Sequence, residues 1–372
     1  MDWQDITRTL RRLDWSLVLA VAMLLVAGVF FVFSASHRGE DMPVSSFYEK
    51  QIVWVFVGGF FFLMLAFLDY RRLRDSAWWL YVLGLVLLVL VLTPGVGKKV
   101  YGAYRWLSFF GVQVQPSEFG KLATMVVLAR FLSRPGRDMQ DPRVVVQSLL
   151  IVGVPFLLIV KEPDLGTGMI LLPLSFFMMY AAGVPLKYLG ILVLIGVLLL
   201  PFAWFGLGDY QKERIYVFFD PGRAPLGHGW NKIQSEIAVG SGAFSGKGYL
   251  KGTQNVLGFL PRTVAPTDFI YSVIAEEMGF VGSLVLLGLY STVLLAGIRA
   301  ALEAREKLGR LLAVGVTSLL FCHVFVNIAM TIGLLPITGL PLPLISYGGS
   351  FMVSTMIGLG IVQSVYVRRY QQ

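Results

Sequence analysis

Cysteine and histidine are nearly missing from this chain. Cys322 is the only cysteine, and His37, His228 and His323 are the only histidines in 372 residues. One thiol forms no disulfide within the chain, and histidines this far apart in sequence do not resemble a metal site. Charge is scarce as well: Asp, Glu, Lys and Arg make up 14% of the residues, against about a quarter in soluble domains. What fills the gap is apolar side chain, at 56% of the residues with a mean hydropathy of +0.73. A water-soluble fold cannot hide that much, so the expected class is an all-α polytopic membrane protein. A net charge of +9 would suggest nucleic acid as partner of a soluble protein. Here it reports basic loops beside anionic membrane lipids, and no nucleic-acid partner is expected. No internal repeat and no soluble domain stands out, so 1–372 reads as one transmembrane domain.

Ten apolar stretches approach membrane-spanning length: 16–34, 52–68, 76–93, 118–133, 144–160, 168–182, 188–206, 268–297, 311–335 and 345–367. The first follows the basic stretch Arg8-Thr-Leu-Arg-Arg12 and ends near Ser34-Ala-Ser36, which faintly resembles a signal-peptidase site. Its apolar run, Leu17 to Phe33, exceeds the usual core of about 7–15 residues, so a retained first helix is expected. With the N-terminus in the cytoplasm, the inside links and termini carry 16 Lys/Arg and the short outside links carry 6. That asymmetry places both termini inside and the 207–267 segment outside. A connector of that length is usually functional. Its middle, Asn231 to Val239, has helical apolar spacing and reads as a short interfacial helix.

Carboxylates mark the outer end of the spans. Asp268 stands where the long loop enters the eighth span, as a helix N-cap, a general base or a metal ligand, roles that are not exclusive. Glu276 and Glu277 follow about 12–13 Å deeper, Glu276 within about 80° of Asp268 and Glu277 on the opposite face. Charges at that depth pair with each other or line a wet cavity. Glu118 opens the fourth span and Lys121 follows at i+3, either as a local pair or as an acid and a base facing the cavity of Asp268. Asp164 lies in the link Lys161-Glu-Pro-Asp-Leu-Gly-Thr167 at the same level.

The stretch Gly242 to Gly248 superficially suggests a phosphate loop, but Ser241 stands where its first glycine belongs. It reads as a flexible surface loop whose Lys247 and Lys251 could meet lipid phosphates. His323, Asn327 and Thr331 form a polar stripe at i, i+4 and i+8, the pattern of interhelical glue. Three prolines and three glycines between Pro336 and Ser350 flank the Ser346-Tyr347 pair and predict a re-entrant or broken-helix corner. Polar groups thus gather on one side of the membrane, which fits an enzyme acting on a lipid headgroup better than a transporter.

Several of these motifs together resemble the SEDS family (shape, elongation, division and sporulation). They are Pro341-Leu-Pro-Leu-Ile-Ser-Tyr-Gly-Gly-Ser350, Gln115-Pro-Ser-Glu118 with Lys121, Arg105-Trp106, Pro163-Asp-Leu-Gly-Thr167, Gln234 to Gly242, and Thr267-Asp-Phe-Ile270 with Glu276-Glu-Met-Gly279. Gly246-Lys-Gly and Gly252-Thr-Gln254 resemble its elongation branch. The resemblance implies ten spans, both termini inside, and a peptidoglycan glycosyltransferase that polymerises lipid II beside a class B penicillin-binding protein. It puts the family's essential acid on Asp268. Lys121 and Arg105 are then candidate pyrophosphate partners, Glu118, Asp164 and Glu277 orient them or share a metal, and Lys247 and Ser346 are expected at the substrate. No cofactor is required by the sequence, and Mg²⁺ or Mn²⁺ is compatible with it. One departure stands out: the family usually has Pro-Glu-x-His before Thr/Ser-Asp, whereas this chain reads Pro261-Arg-Thr-Val-Ala-Pro-Thr-Asp268. The rival readings are a lipid II flippase and a non-enzymatic scaffold for the transpeptidase.

Overall fold

The computed structural model describes residues 10–37, 46–100, 103–109, 111–224, 227–261 and 263–370. Arg8, residues 38–45 of the first link, and Arg262 ahead of Asp268 lie outside the described residues.

Helices dominate. The long ones are α1 (Trp15–Ser36), α2 (Phe47–Phe67), α3 (Arg72–Leu92), α4 (Pro116–Leu132), α5 (Pro142–Lys161), α6 (Leu165–Ala182) and α7 (Leu186–Gly206), then, past the 207–267 segment, Ile270–Glu303, Lys307–Thr331 and Gly349–Val367. Eight of these ten are long and apolar enough to cross a membrane; the other two are α4, with 17 residues, and α7, whose described apolar stretch is Leu186–Phe202. Each falls on one of the ten stretches expected from sequence. The starts follow local chemistry. Asp14 accepts from Ser16 N and Leu17 N ahead of α1, and Asp141 accepts from Arg143 N ahead of Pro142 in α5. Gly183, at φ 96°, closes α6 in the left-handed conformation that favours glycine.

The segment between α3 and α4 holds a three-stranded antiparallel sheet, β1 (Lys98–Val100), β2 (Ala103–Phe109) and β3 (Val112–Val114), with Lys98 opposite Trp106 and Leu107 opposite Val114. Gly111 makes the β2–β3 turn at φ 85°. The hydropathy of the spans gave no hint of it, because strands this short carry little periodic signal. The 207–267 segment contains α8 (Asp209–Phe219), a 3₁₀ turn (Pro221–Arg223), α9 (His228–Ser241) and the short α10 (Thr253–Val256), before α11 (Ile270–Glu303), α12 (Lys307–Thr331) and α13 (Gly349–Val367).

The centre of the bundle is α13, with 83% of its apolar window buried, followed by α12 at 67%; α2, at 22%, lies on the periphery. The described chain ends meet at one end. Arg369 donates to Arg12 O at 3.4 Å and pairs with Glu303 at 2.9 Å; Arg299 pairs with Asp14, and Arg71 with Glu306. Both ends lying at one end of the bundle is compatible with an even number of crossings.

The opposite end contains a helix broken and repaired. Gly279 interrupts α11 with φ 64° and ψ −158°. A break at membrane depth orphans carbonyls before it and amides after it, each costing several kcal/mol if left bare in hydrocarbon. The stretch 243–248 supplies the partners. Lys247 N and Gly248 N donate to Glu276 O and Glu277 O at 3.0 and 2.9 Å, and Phe280 N and Val281 N donate to Ala243 O and Phe244 O at 3.0 and 3.1 Å. The loop expected to be a flexible surface segment is therefore spliced into the helix, since backbone pairing there outweighs solvation. The stretch expected as an interfacial helix is likewise packed inward: in α9, Ser235 Oγ lies 2.7 Å from Ser272 Oγ and donates to Thr331 O at 2.8 Å.

Candidate functional site

The proline-rich stretch 336–346 is an irregular corner that several elements grip at the loop-bearing end. From α8, Arg214 donates through Nη1 to Thr338 O at 2.8 Å and through Nη2 to Tyr210 Oη at 2.5 Å. Gly166 at the start of α6 packs on Thr338, with no room for a side chain. Gly339, at φ 73°, separates two charged groups: a side-chain carbon built there would lie 3.3 Å from Asp268 Oδ2 and 3.8 Å from Arg214 Nη2. Glycine at 339 is what lets the Asp268 carboxylate and the guanidinium share one space.

Asp268 is half-buried in the turn before α11. Burial pushes its carboxyl up to about 6, opposed by the charge of Arg214, the Thr267 hydroxyl and Arg105, while Asp164 adds to the rise. A carboxylate that ionises close to neutral pH is suited to taking a proton.

Arg105 comes from β2. Its Nε donates to Glu162 O at 3.2 Å, it also donates to Pro163 O, and its Nη1 lies 4.0 Å from Asp164 Oδ1. Asp164 is fixed as the N-cap of α6, accepting from Thr167 N at 3.3 Å and from Gln115 Nε2 at 3.2 Å. Beneath it Glu162 is fully buried, and neither carboxyl oxygen has a hydrogen-bond partner. Burial, with Asp164 nearby, raises this carboxyl to about 9 against the pull of Arg105, so it is neutral at pH 7. The structure therefore gathers Asp268, Arg105 and Asp164, as the sequence predicts, and adds Arg214 and Glu162.

Glu118 and Lys121 are paired with each other at 3.0 Å, and Lys121 Nζ lies 2.9 Å from His323 Nε2. Ser354 Oγ donates to Glu118 Oε2 at 3.2 Å. Their cavity, of about 30 Å³, is lined by Phe351, Ser354 and Thr355 among others and does not include Asp268. That corrects the expectation of a shared cavity: both charges are already paired within the bundle, and room is left for little more than one water.

Glu277 and Lys247 also point away from Asp268. Glu277 Oε1 accepts from Ser34 Oγ of α1 at 2.5 Å. Lys247 Nζ folds back to Glu276 Oε1 at 2.6 Å and to Thr253 Oγ1 at 2.7 Å. Glu276 Oε1 also accepts from Gln254 N at 3.0 Å. These side chains anchor the spliced loop. Ser346 is 1% exposed, donates to Thr267 O at 2.5 Å and accepts from Leu342 N at 2.8 Å, so it supports the turn that carries Asp268.

Sequence reasoning missed Arg214. Its signal was the Tyr210/Arg214 pair at i, i+4 inside a loop otherwise read for length alone. Among the described residues no three His, Cys, Asp or Glu side chains form a metal cage. Asp164 and Asp268 are, among the described residues, the two carboxylates beside the arginines, and one or two carboxylates are the usual protein share of a Mg²⁺ site that waters and substrate phosphates complete.

The sequence profile of the cell cycle protein family FtsW/RodA/SpoVE matches residues 15–371. The peptidoglycan glycosyltransferase MrdB of Escherichia coli (strain K12) is 39% identical over 360 residues, covering 96% of this chain and 94% of the relative. The peptidoglycan glycosyltransferase RodA of Treponema pallidum is 31% identical, covering 96% and 98%. A chain from a peptidoglycan synthase complex that coordinates polymerization and crosslinking superposes with a TM-score of 0.82 at 34% identity, covering 97% of this chain and 99% of its own. Thermus thermophilus RodA superposes with a TM-score of 0.72 at 30% identity, covering 97% and 98%. The helical bundle and its polar end thus come with a known lineage, and this chain belongs to the FtsW/RodA/SpoVE family of polytopic membrane proteins.

Proposed function

We propose that this chain is a peptidoglycan glycosyltransferase that polymerises lipid II at the extracytoplasmic face of the cell membrane, with Asp268 as the base. The single observation carrying this reading is the Asp268 carboxylate facing Arg214 and Arg105 at the loop-bearing end, its ionisation raised to about 6 by burial. The relatives' names point the same way, and the Lys/Arg asymmetry of the short links supports an outward-facing site.

In the reaction, the acceptor sugar hydroxyl attacks the anomeric carbon of the donor. Asp268 takes the hydroxyl proton as the new glycosidic bond forms. The bond from the anomeric carbon to the pyrophosphate oxygen breaks, and undecaprenyl pyrophosphate leaves with the electron pair. Arg214 and Arg105 supply the positive charge that the leaving group needs. The Asp164 carboxylate and the Glu162 and Pro163 carbonyls hold Arg105 from behind. A class B penicillin-binding protein is the proposed partner, in keeping with the synthase complex that the fold resembles.

The test is purified protein with its partner and labelled lipid II, comparing wild type with Asp268→Asn. Glycan from wild type and none from the variant supports the reading. Equal glycan from both removes Asp268 from the chemistry, and movement of lipid II between leaflets without polymer replaces the enzyme with a flippase.

A further inference from the structure

The turn carrying Asp268 is held in an unusual way. Three successive peptide carbonyls each accept one hydrogen bond from outside the turn. Pro266 O accepts from Tyr347 N at 2.8 Å, Thr267 O from Ser346 Oγ at 2.5 Å, and Asp268 O from Asn327 Nδ2 at 2.9 Å. These carbonyls mark the peptide planes on either side of Thr267 and of Asp268. Fixing all three planes fixes the φ and ψ of both residues, and with them the direction of the Asp268 Cα–Cβ bond.

The donors are themselves immobilised. Asn327 is fully buried and gives its second amide hydrogen to Leu340 O at 2.7 Å. Ser346 is 1% exposed and receives Leu342 N at 2.8 Å. The corner they belong to is braced by Tyr290 Oη on Pro343 O at 2.5 Å, and it holds the buried Leu344 at φ 66°. A non-glycine residue persists there only where its surroundings over-determine it. Neither Asn327 nor Ser346 touches the Asp268 carboxylate.

We propose that Asn327 and Ser346 are positioning residues, a backbone clamp that aims Asp268 at the acceptor hydroxyl. This rests on the reading of Asp268 as the base. The clamp is built from the same corner that receives Arg214 through Thr338 O. One rigid element thus sets the spacing between the group that takes the proton and the cation that faces the leaving group. A displacement of about 1 Å in such a geometry costs on the order of 100-fold in rate.

The experiment measures glycan polymerisation by the full chain with its partner on labelled lipid II, for Ser346→Ala, Ser346→Thr, Asn327→Leu, Thr331→Val and Asp268→Asn. Thermal melting is recorded for each. Thr331 lies one turn beyond Asn327 on α12, and its hydroxyl bonds only its own helix, at Asn327 O and Ile328 O. The clamp predicts that Ser346→Ala lowers kcat about 10-fold and Asn327→Leu about 100-fold, with KM within about twofold. Ser346→Thr, which keeps the hydroxyl, retains most of kcat, and Thr331→Val retains all of it.

The acid limb of the pH profile supplies a second readout. Among the described residues, the charged groups facing Asp268 are Arg214 from α8, Arg105 from β2 and Asp164 at the start of α6, and none of them is altered. A loosened turn admits water and moves the limb in Ser346→Ala from about 6 toward the ordinary value of about 4. Unchanged kcat in Ser346→Ala overturns the clamp, as does a loss matched by Thr331→Val with no shift of the limb. If Asp268→Asn stays active, the base assignment falls instead, whatever the clamp variants do. If Asn327→Leu does not fold, Ser346→Ala decides the matter alone.

Discussion

Asp268 and Glu276 are two carboxylates eight residues apart on one segment, and they have opposite environments. Glu276 is fully buried and engaged: one of its oxygens gathers Lys247, Thr253 and the Gln254 amide, while the other is buried without a partner. Asp268 is half-buried, held through its backbone, and faces two arginines across a glycine gap. The difference lies in what each side chain is left free to do. Glu276 closes a break in a helix, and its charge is neutralised inside the chain. Asp268 is fixed by its carbonyl and its neighbours' carbonyls, so its carboxylate stays available.

That contrast can be broken at the structural end first. Glu276→Ala leaves Lys247 without its charge partner and frees two donors at the start of α10, the Thr253 hydroxyl and the Gln254 amide. Removing one member of a buried pair costs about 3 kcal/mol, the lower end of the range because Lys247 is 26% exposed. Thermal melting in nanodiscs should fall by several degrees. Gly246→Ala should cost about 1–3 kcal/mol by the same measurement, because Gly246 has φ 77° and its side chain would meet the Glu277 carbonyl.

The chemical end is probed by pH. Asp268 has its folded-state ionisation raised to about 6, so it is protonated below that value and a base above it. Polymerisation should therefore rise about tenfold per pH unit up to about pH 6 and then level off. A flat profile between pH 5 and 7 would separate the rate from this carboxylate.

A separate test concerns Glu162. Its carboxyl, raised to about 9, stays neutral in the folded protein while the unfolded chain ionises it above about pH 4.5. Between those values folding must take up a proton, so this group's cost grows with pH and saturates above about 9. Glu162→Gln removes the cost and should raise the melting temperature more at pH 8 than at pH 5. An equal change at both values would mean the carboxyl is already ionised in the fold.

How much of this was legible in the sequence follows from the range of each signal. Spans are written in continuous apolar runs, and each of the ten expected stretches is occupied by a helix. Asp268, Arg105 and Asp164 stand at ends of elements, where a polar residue beside an apolar run is conspicuous. The splice was not legible, because Gly279 and the 243–248 loop are more than thirty residues apart and pair through backbone groups that carry no residue signature. Glu118 and Lys121 were seen as a pair, yet only packing could show that Lys121 meets His323 in a cavity that does not include Asp268. Arg214 belongs to the site through Thr338 O, a contact spanning 124 positions.

The most direct measurement sets activity against stability in Asp268→Asn. With the Asp268 carboxyl raised by burial, its charge does not stabilise the fold at pH 7, so the amide variant should melt at or above the wild-type temperature. In the same preparation its polymerisation of labelled lipid II should fall by about 100-fold or more. A variant that melts like wild type and still makes glycan at the wild-type rate would contradict the account.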